Sequence, residues 1–209
     1  MKAQYKAHPW HGIAIGEEAP AVVTAFIEIL PTDTIKYEID KTSGYLKIDR
    51  PQKFSNMIPS LYGFIPQTYC GNDVAAYARE HTDIKISDGD HDPLDICVLS
   101  EREIYRSDII LQAIPIGGLR LIDNHEADDK IIAVLKGDAI YGNMTELDQL
   151  PVAILNRLRH YFLTYKNIPG EEPRQCYVSG VYNRSVAHEV IRRSVKDYAT
   201  LIMNSDIHS

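Results

Sequence analysis

Four of the eight residues in the segment DGDHDPLD, positions 88 to 95, are aspartates: Asp88, Asp90, Asp92 and Asp95. Carboxylates this crowded repel one another and raise each other's pKa, so the cluster is costly unless a cation sits among them. A hard divalent metal, which prefers oxygen ligands, suits such a set. An EF-hand calcium loop starting at Asp88 would need Gly at its sixth position and Glu at its twelfth. The chain has Pro93 and Leu99 there, so another oxygen-ligand site is required. A second acidic run, DNHEADDK at 123 to 130, also lies between apolar segments. Two Asp-rich loops meeting at one end of a barrel would supply the protein's share of a magnesium site, with waters and substrate phosphates completing it. Acidic turns are often no more than solvated. The spacing D-x-D-P-apolar-D, however, arises by chance in only about one chain in a thousand at this Asp content and typical Pro usage, and that favours a metal site here.

The elements that must position these carboxylates are mostly strands. Pro93 cannot donate a ladder hydrogen bond, so it marks the loop leading into DICVL, with Asp90 and Asp92 in the turn and Asp95 at the strand start. Segment 22 to 30 is rich in β-formers, and in 35 to 39 Ile35, Tyr37 and Ile39 share one face while Lys36 and Glu38 share the other. The DKTSG stretch turns the chain into 45 to 50, giving a hairpin that ends at Arg50. Further short strands are expected at 94 to 99, 109 to 116, 118 to 122 and 130 to 135. Short strands and turns of this kind suggest a closed barrel. Pro151, Leu155, Leu158, Phe162 and Tyr165 recur at helical spacing behind an expected N-cap at Asp148. A second helix is predicted over about 185 to 203, with Ile191, Val195, Tyr198 and Ile202 on its buried stripe. The Pro/Gly-rich IPGEEP at 168 to 173 separates the two helices. The polar stretch between Phe64 and Asp88 fits neither period and reads as an excursion from the barrel. The expected class is therefore mainly β with two flanking helices, an α+β fold in a single domain spanning 1 to 209.

With 209 residues, 44% hydrophobic and 24% charged, the chain has the composition of an ordinary globular protein with a sizeable core. MKAQYKAHPW has no apolar h-region, and no apolar run approaches a membrane span, so a cytoplasmic location is expected. Cys70, Cys97 and Cys176 are odd in number and widely spaced, with no CxxC pair, which argues against a disulfide framework or structural zinc. The net charge of -7 argues against nucleic acid or an anionic membrane as partner, and means that an anionic substrate needs local cations.

The D-x-D-P-apolar-D segment from Asp90 to Ile96 resembles the signature of the soluble family I inorganic pyrophosphatases of bacterial type. FIEI at 26 to 29, IKYEIDKTSG at 35 to 44, LKIDR at 46 to 50, LYGF at 61 to 64, the Asp123, Asp128 and Lys130 spacing, and HYFLTYK at 160 to 166 look like the family's other blocks in the same order. The resemblance covers roughly residues 20 to 170. It implies an OB-like barrel of five strands and an enzyme that splits inorganic pyrophosphate into two phosphates. Carried over by position, it implies magnesium ligands at Asp90, Asp95, Asp123 and Asp128, with Glu28 and Glu38 binding metals directly or through waters. Manganese or zinc are the expected substitutes. Asp92 would be the general base for a nucleophilic water bridged by metals, with Tyr62 beside it. Lys36, Arg50, Tyr165 and Lys166 would hold the phosphates, and Lys130 would support the metal carboxylates. Bacterial relatives suggest a homohexamer.

The chain departs from that pattern at Ile58, where relatives often carry Tyr, in the longer polar excursion, and at His91, which reads as a surface side chain rather than a ligand. Two other readings compete. An OB-type module binding cations or oligonucleotides would want a basic groove with stacking aromatics, and this chain is acidic. A metal-dependent phosphatase for nucleotides or esters would want a pocket for base or sugar, and no Gly-rich nucleotide loop is present.

Overall fold

The computed structural model describes residues 6–167, 170–172 and 175–206. Its strands are β1 (Val23–Ile29), β2 (Ile35–Ile39), β3 (Leu46–Pro51), β4 (Leu61–Phe64), β5 (Asp88–Gly89), β6 (Asp95–Leu99), β7 (Ile109–Asp123), β8 (Glu126–Ala127), β9 (Lys130–Leu135) and β10 (Cys176–Asn183). Helices α1 (Asn72–Arg79), α2 (Val152–Thr164) and α3 (Arg184–Asp206) accompany them.

Five strands close a ring in the order β1, β4, β6, β9 and β7, with β7 pairing back to β1. Strand period divides the ring's apolar residues into two sets. Ile96 and Val98 of β6 and Ile131 and Ala133 of β9 pack with α3, while Cys97, Leu99, Ile132 and Val134 pack with α2. Because both faces are covered, β6 and β9 read as continuous apolar runs. This is the mainly β, helix-flanked class expected.

Several details differ from the sequence expectation. Residues 109–116 and 118–122 form one long strand, β7, because the register slip between Pro115 and Gly117 is absorbed as a bulge. The first half of β7 pairs with β1 and the second with β10, an edge strand that sequence reasoning did not find. The β2–β3 hairpin forms as expected but stands outside the ring as its own sheet. The polar excursion holds a third helix, α1. Its first turn has no local side-chain cap; instead the N–H groups of Gly71, Asp73 and Val74 each donate to the Asp197 carboxylate of α3 at 3.0 Å.

Asp148 does not cap α2. It lies inside a 3₁₀ turn, and Pro151, at φ -53° and ψ 128°, holds the N-cap position just before the helix begins at Val152. The buried stripe of α3 runs through Ala187, Val190, Ile191, Ser194 and Asp197, while Val195, Tyr198 and Ile202 are only partly buried. The face is turned because Asp197 must reach α1, and the Ser194 carbonyl accepts the Tyr69 N–H at 2.9 Å. Ile58 is a core residue, 2% exposed, packed against Ile29 and Cys97. Of the 168 to 173 separator, Ile168, Pro169 and Pro173 lie outside the described residues. No helix among the described residues is long and apolar enough to cross a membrane.

Candidate active site

The register of two parallel strands places the first charged pair. Asp95 opens β6, Lys130 opens β9, and the two residues are direct partners in the ladder. The Lys130 ammonium contacts the Asp95 and Asp128 carboxylates, and Tyr62, from the adjoining β4, donates its hydroxyl to Asp95 Oδ2 at 2.5 Å. Lys130 is 2% exposed. Burial would pull its pKa down, but Asp128 and Asp95 outweigh burial and hold it well above the usual lysine value.

Asp90 reaches the same point from the loop before β6. Asp90, Asp95 and Asp128 each offer a carboxylate oxygen, and these oxygens lie within 4.8 Å of one another. The protein packed around Asp90, together with the Asp128 carboxylate, raises the Asp90 pKa well above the ordinary range. Asp123, at the end of β7, takes part differently: Oδ2 meets Lys166, while Oδ1 is buried with no hydrogen-bond partner.

The hairpin brings cations to the opposite wall. Lys36 on β2 contacts Asp49 at 2.8 Å and Glu38 at 3.1 Å. Burial lowers the Lys36 pKa, yet these two carboxylates leave it raised. Arg50 on β3 also contacts Asp49, and Glu38 meets Lys47 at 3.2 Å. Glu28, next to the end of β1, is 6% exposed and accepts the Ile39 N–H at 2.6 Å. Burial, with Asp95 nearby, pushes its pKa up to about 8 against the Ile39 hydrogen bond. From the end of α2 come Tyr165 and Lys166, the ammonium lying 5.3 Å from the Tyr165 ring centroid.

All the residues expected from the sequence face one cavity of about 720 Å³. Sequence reasoning missed Lys41 and Asp49. Lys41, in the hairpin turn, contacts the Asp92 carboxylate and donates to the His91 carbonyl at 3.2 Å. Asp49 is the shared partner of Lys36 and Arg50. A lysine in a turn and an aspartate on the exposed face of a hairpin strand both look merely solvated in a sequence, so neither carried a signal.

The donor set fits a hard cation. Of the three clustered carboxylates, Asp95 and Asp128 share contact with Lys130 while Asp90 stands beside them, and a buried Asp123 oxygen has no partner. A divalent metal satisfies both conditions with oxygen ligands alone.

Comparison with known proteins agrees with this geometry. Residues 25–199 match the family model described as inorganic pyrophosphatase. The chain is 46% identical to an inorganic pyrophosphatase of Chlamydia trachomatis, over 94% of this chain and 96% of that protein. It is 36% identical to soluble inorganic pyrophosphatase 3 of Arabidopsis thaliana, over 95% of this chain and 82% of that one. The crystal structure of the Thermus thermophilus inorganic pyrophosphatase superposes with a TM-score of 0.76 at 27% identity, covering 92% and 99% of the two chains. With a barrel that assembles these carboxylates and cations, and kinship running nearly end to end, the chain belongs to the inorganic pyrophosphatase family.

Proposed function

We propose that the chain hydrolyses inorganic pyrophosphate to two phosphates by direct attack of water, with magnesium as the working cation and Asp92 as general base. The observation that carries this reading is the convergence on one cavity of an anionic wall from the ring and a cationic wall from the hairpin and the end of α2. A compact polyanion needs both. Magnesium held by Asp90, Asp95, Asp123 and Asp128, with Glu28 and Glu38 assisting, would lower the pKa of water and offset phosphate charge. Manganese or zinc would substitute in part.

The protein's own groups do the rest. Lys36, Arg50 and Lys166 take the pyrophosphate oxygens, Arg50 in bidentate fashion, exchanging Asp49 and Asp123 for substrate as it enters. Tyr165 lies against Lys166 and fixes its approach. Tyr62 and Lys130 hold Asp95 in place. Asp92, partly exposed at the cavity mouth, takes the proton of the attacking water on a carboxylate oxygen. The same reading makes residues 1 to 209 one catalytic unit, cytoplasmic and homohexameric.

Phosphate release from pyrophosphate, ATP and a sugar phosphate, each with and without magnesium, tests the proposal. Turnover of pyrophosphate alone, and only with the metal, is expected. Equal turnover of the esters would point to a general phosphatase. Sedimentation velocity would check the hexamer.

A further inference from the structure

His91 interrupts the aspartate loop with a conformation that its side chain makes costly. Its φ is +62°, in the left-handed region that favours glycine. Such a conformation persists only when the surroundings over-determine it, and here they do so on four sides. The His91 N–H donates to the Cys70 carbonyl at 3.1 Å, and its own carbonyl accepts from Lys41 at 3.2 Å. The imidazole Nδ1 shares a 2.6 Å hydrogen bond with the Tyr69 hydroxyl, and Nε2 lies 3.3 Å from Asp88 Oδ2. The next residue is tied as well, since the Cys70 N–H donates to the Asp92 carbonyl at 2.9 Å.

The turn at His91 separates two carboxylates with different destinations. Asp90 enters the cluster with Asp95 and Asp128, whereas Asp92 points to the cavity mouth and Lys41. Glycine at this position would relax the backbone but leave the loop free to drift. A braced imidazole fixes it. We propose that His91, held between Tyr69 and Asp88, is a positioning residue that sets where Asp90 and Asp92 stand for metal binding and proton transfer. The polar excursion, which carries Tyr69 and Cys70, thereby serves as the rigid backing of the aspartate loop. This inference rests on the pyrophosphate-hydrolysis reading for its kinetic side only.

The test uses the full-length variants His91→Gly and Tyr69→Phe and their double mutant. Magnesium binding is followed by calorimetry without substrate, and kcat and KM are measured with pyrophosphate. Glycine suits the backbone at position 91, so His91→Gly should keep its melting temperature; Tyr69→Phe removes one hydroxyl and is the safer variant for folding. Each should weaken magnesium binding about threefold or more and lower kcat more than it changes KM. The double mutant should be no worse than His91→Gly alone, because the two residues act through one contact. Wild-type magnesium affinity in either folded variant, or losses that simply add in the double mutant, would overturn the brace. If the wild-type protein fails to split pyrophosphate, the functional reading falls, while the calorimetric comparison still decides the brace.

Discussion

At the level of single residues, the site is organised by carboxylates that differ in their neighbours and exposure. Asp92 differs from Asp90 and Asp95 in standing outside the three-carboxylate cluster, half exposed, with Lys41 against it. That placement suits a base that must exchange a proton with water. Asp92→Asn is expected to fold normally and to lose about 10²- to 10⁴-fold in kcat, the usual share of a general base; steady-state kinetics with circular dichroism as the folding control checks this. Glu28 makes a second prediction. Its folded pKa of about 8 lies above its ordinary value of 4.5, so folding favours the protonated form. The associated stability is complete below about pH 4.5 and is lost as pH rises through about 8. Urea unfolding in EDTA between pH 5 and 8 should show a decline that Glu28→Gln flattens. Glu28 was legible in the sequence because a carboxylate amid apolar residues in a strand needs a partner. Lys41 was not, since its contact with Asp92 spans 51 residues, and a turn lysine looks like any solvated one.

At the level of elements, what could be read depended on whether the signal was local. β6 and β9 announced themselves through their apolar runs, β1 through its richness in β-formers, and α2 through its period. β10 did not: as an edge strand paired with β7 it buries only Tyr182 fully, and a bulge between Val178 and Gly180 breaks its alternation at Ser179 and Gly180. α1 was hidden for a different reason. The acceptor that satisfies its first turn is Asp197, more than a hundred residues away, so the cap that the helix uses cannot be read from the residues at its start. Asp197→Ala would leave three amide groups at that turn without an acceptor. A loss of about 2 kcal/mol is expected, as for a strong N-cap with buried donors. Urea denaturation should show it, and magnesium affinity should fall in parallel, because α1 follows directly on the Tyr69 and Cys70 segment that backs the aspartate loop.

At the level of the whole molecule, the ring concentrates negative charge at one end and a hairpin from a separate sheet faces it with cations. Without metal this arrangement opposes folding: Asp90, Asp95 and Asp128 crowd together, with Lys130 in contact with Asp95 and Asp128, and the Asp90 pKa is driven up by burial and by Asp128. With a metal the same carboxylates would serve as ligands, and a cation that binds only the folded state stabilises it by RT ln(1 + [L]/Kd). Replacing Asp90 by Asn removes one like charge from the cluster and one anionic ligand from the cation. The two effects have opposite signs, and which one dominates depends on magnesium. In EDTA, Asp90→Asn should melt at a higher temperature than the wild type; in millimolar magnesium the order should reverse, because the wild type gains a stabilisation that the variant largely lacks. Thermal melts of both proteins under the two conditions decide the matter. A variant that melts lower in EDTA as well would mean that Asp90 is held by favourable contacts in the metal-free protein, and that its carboxylate is not waiting for a cation.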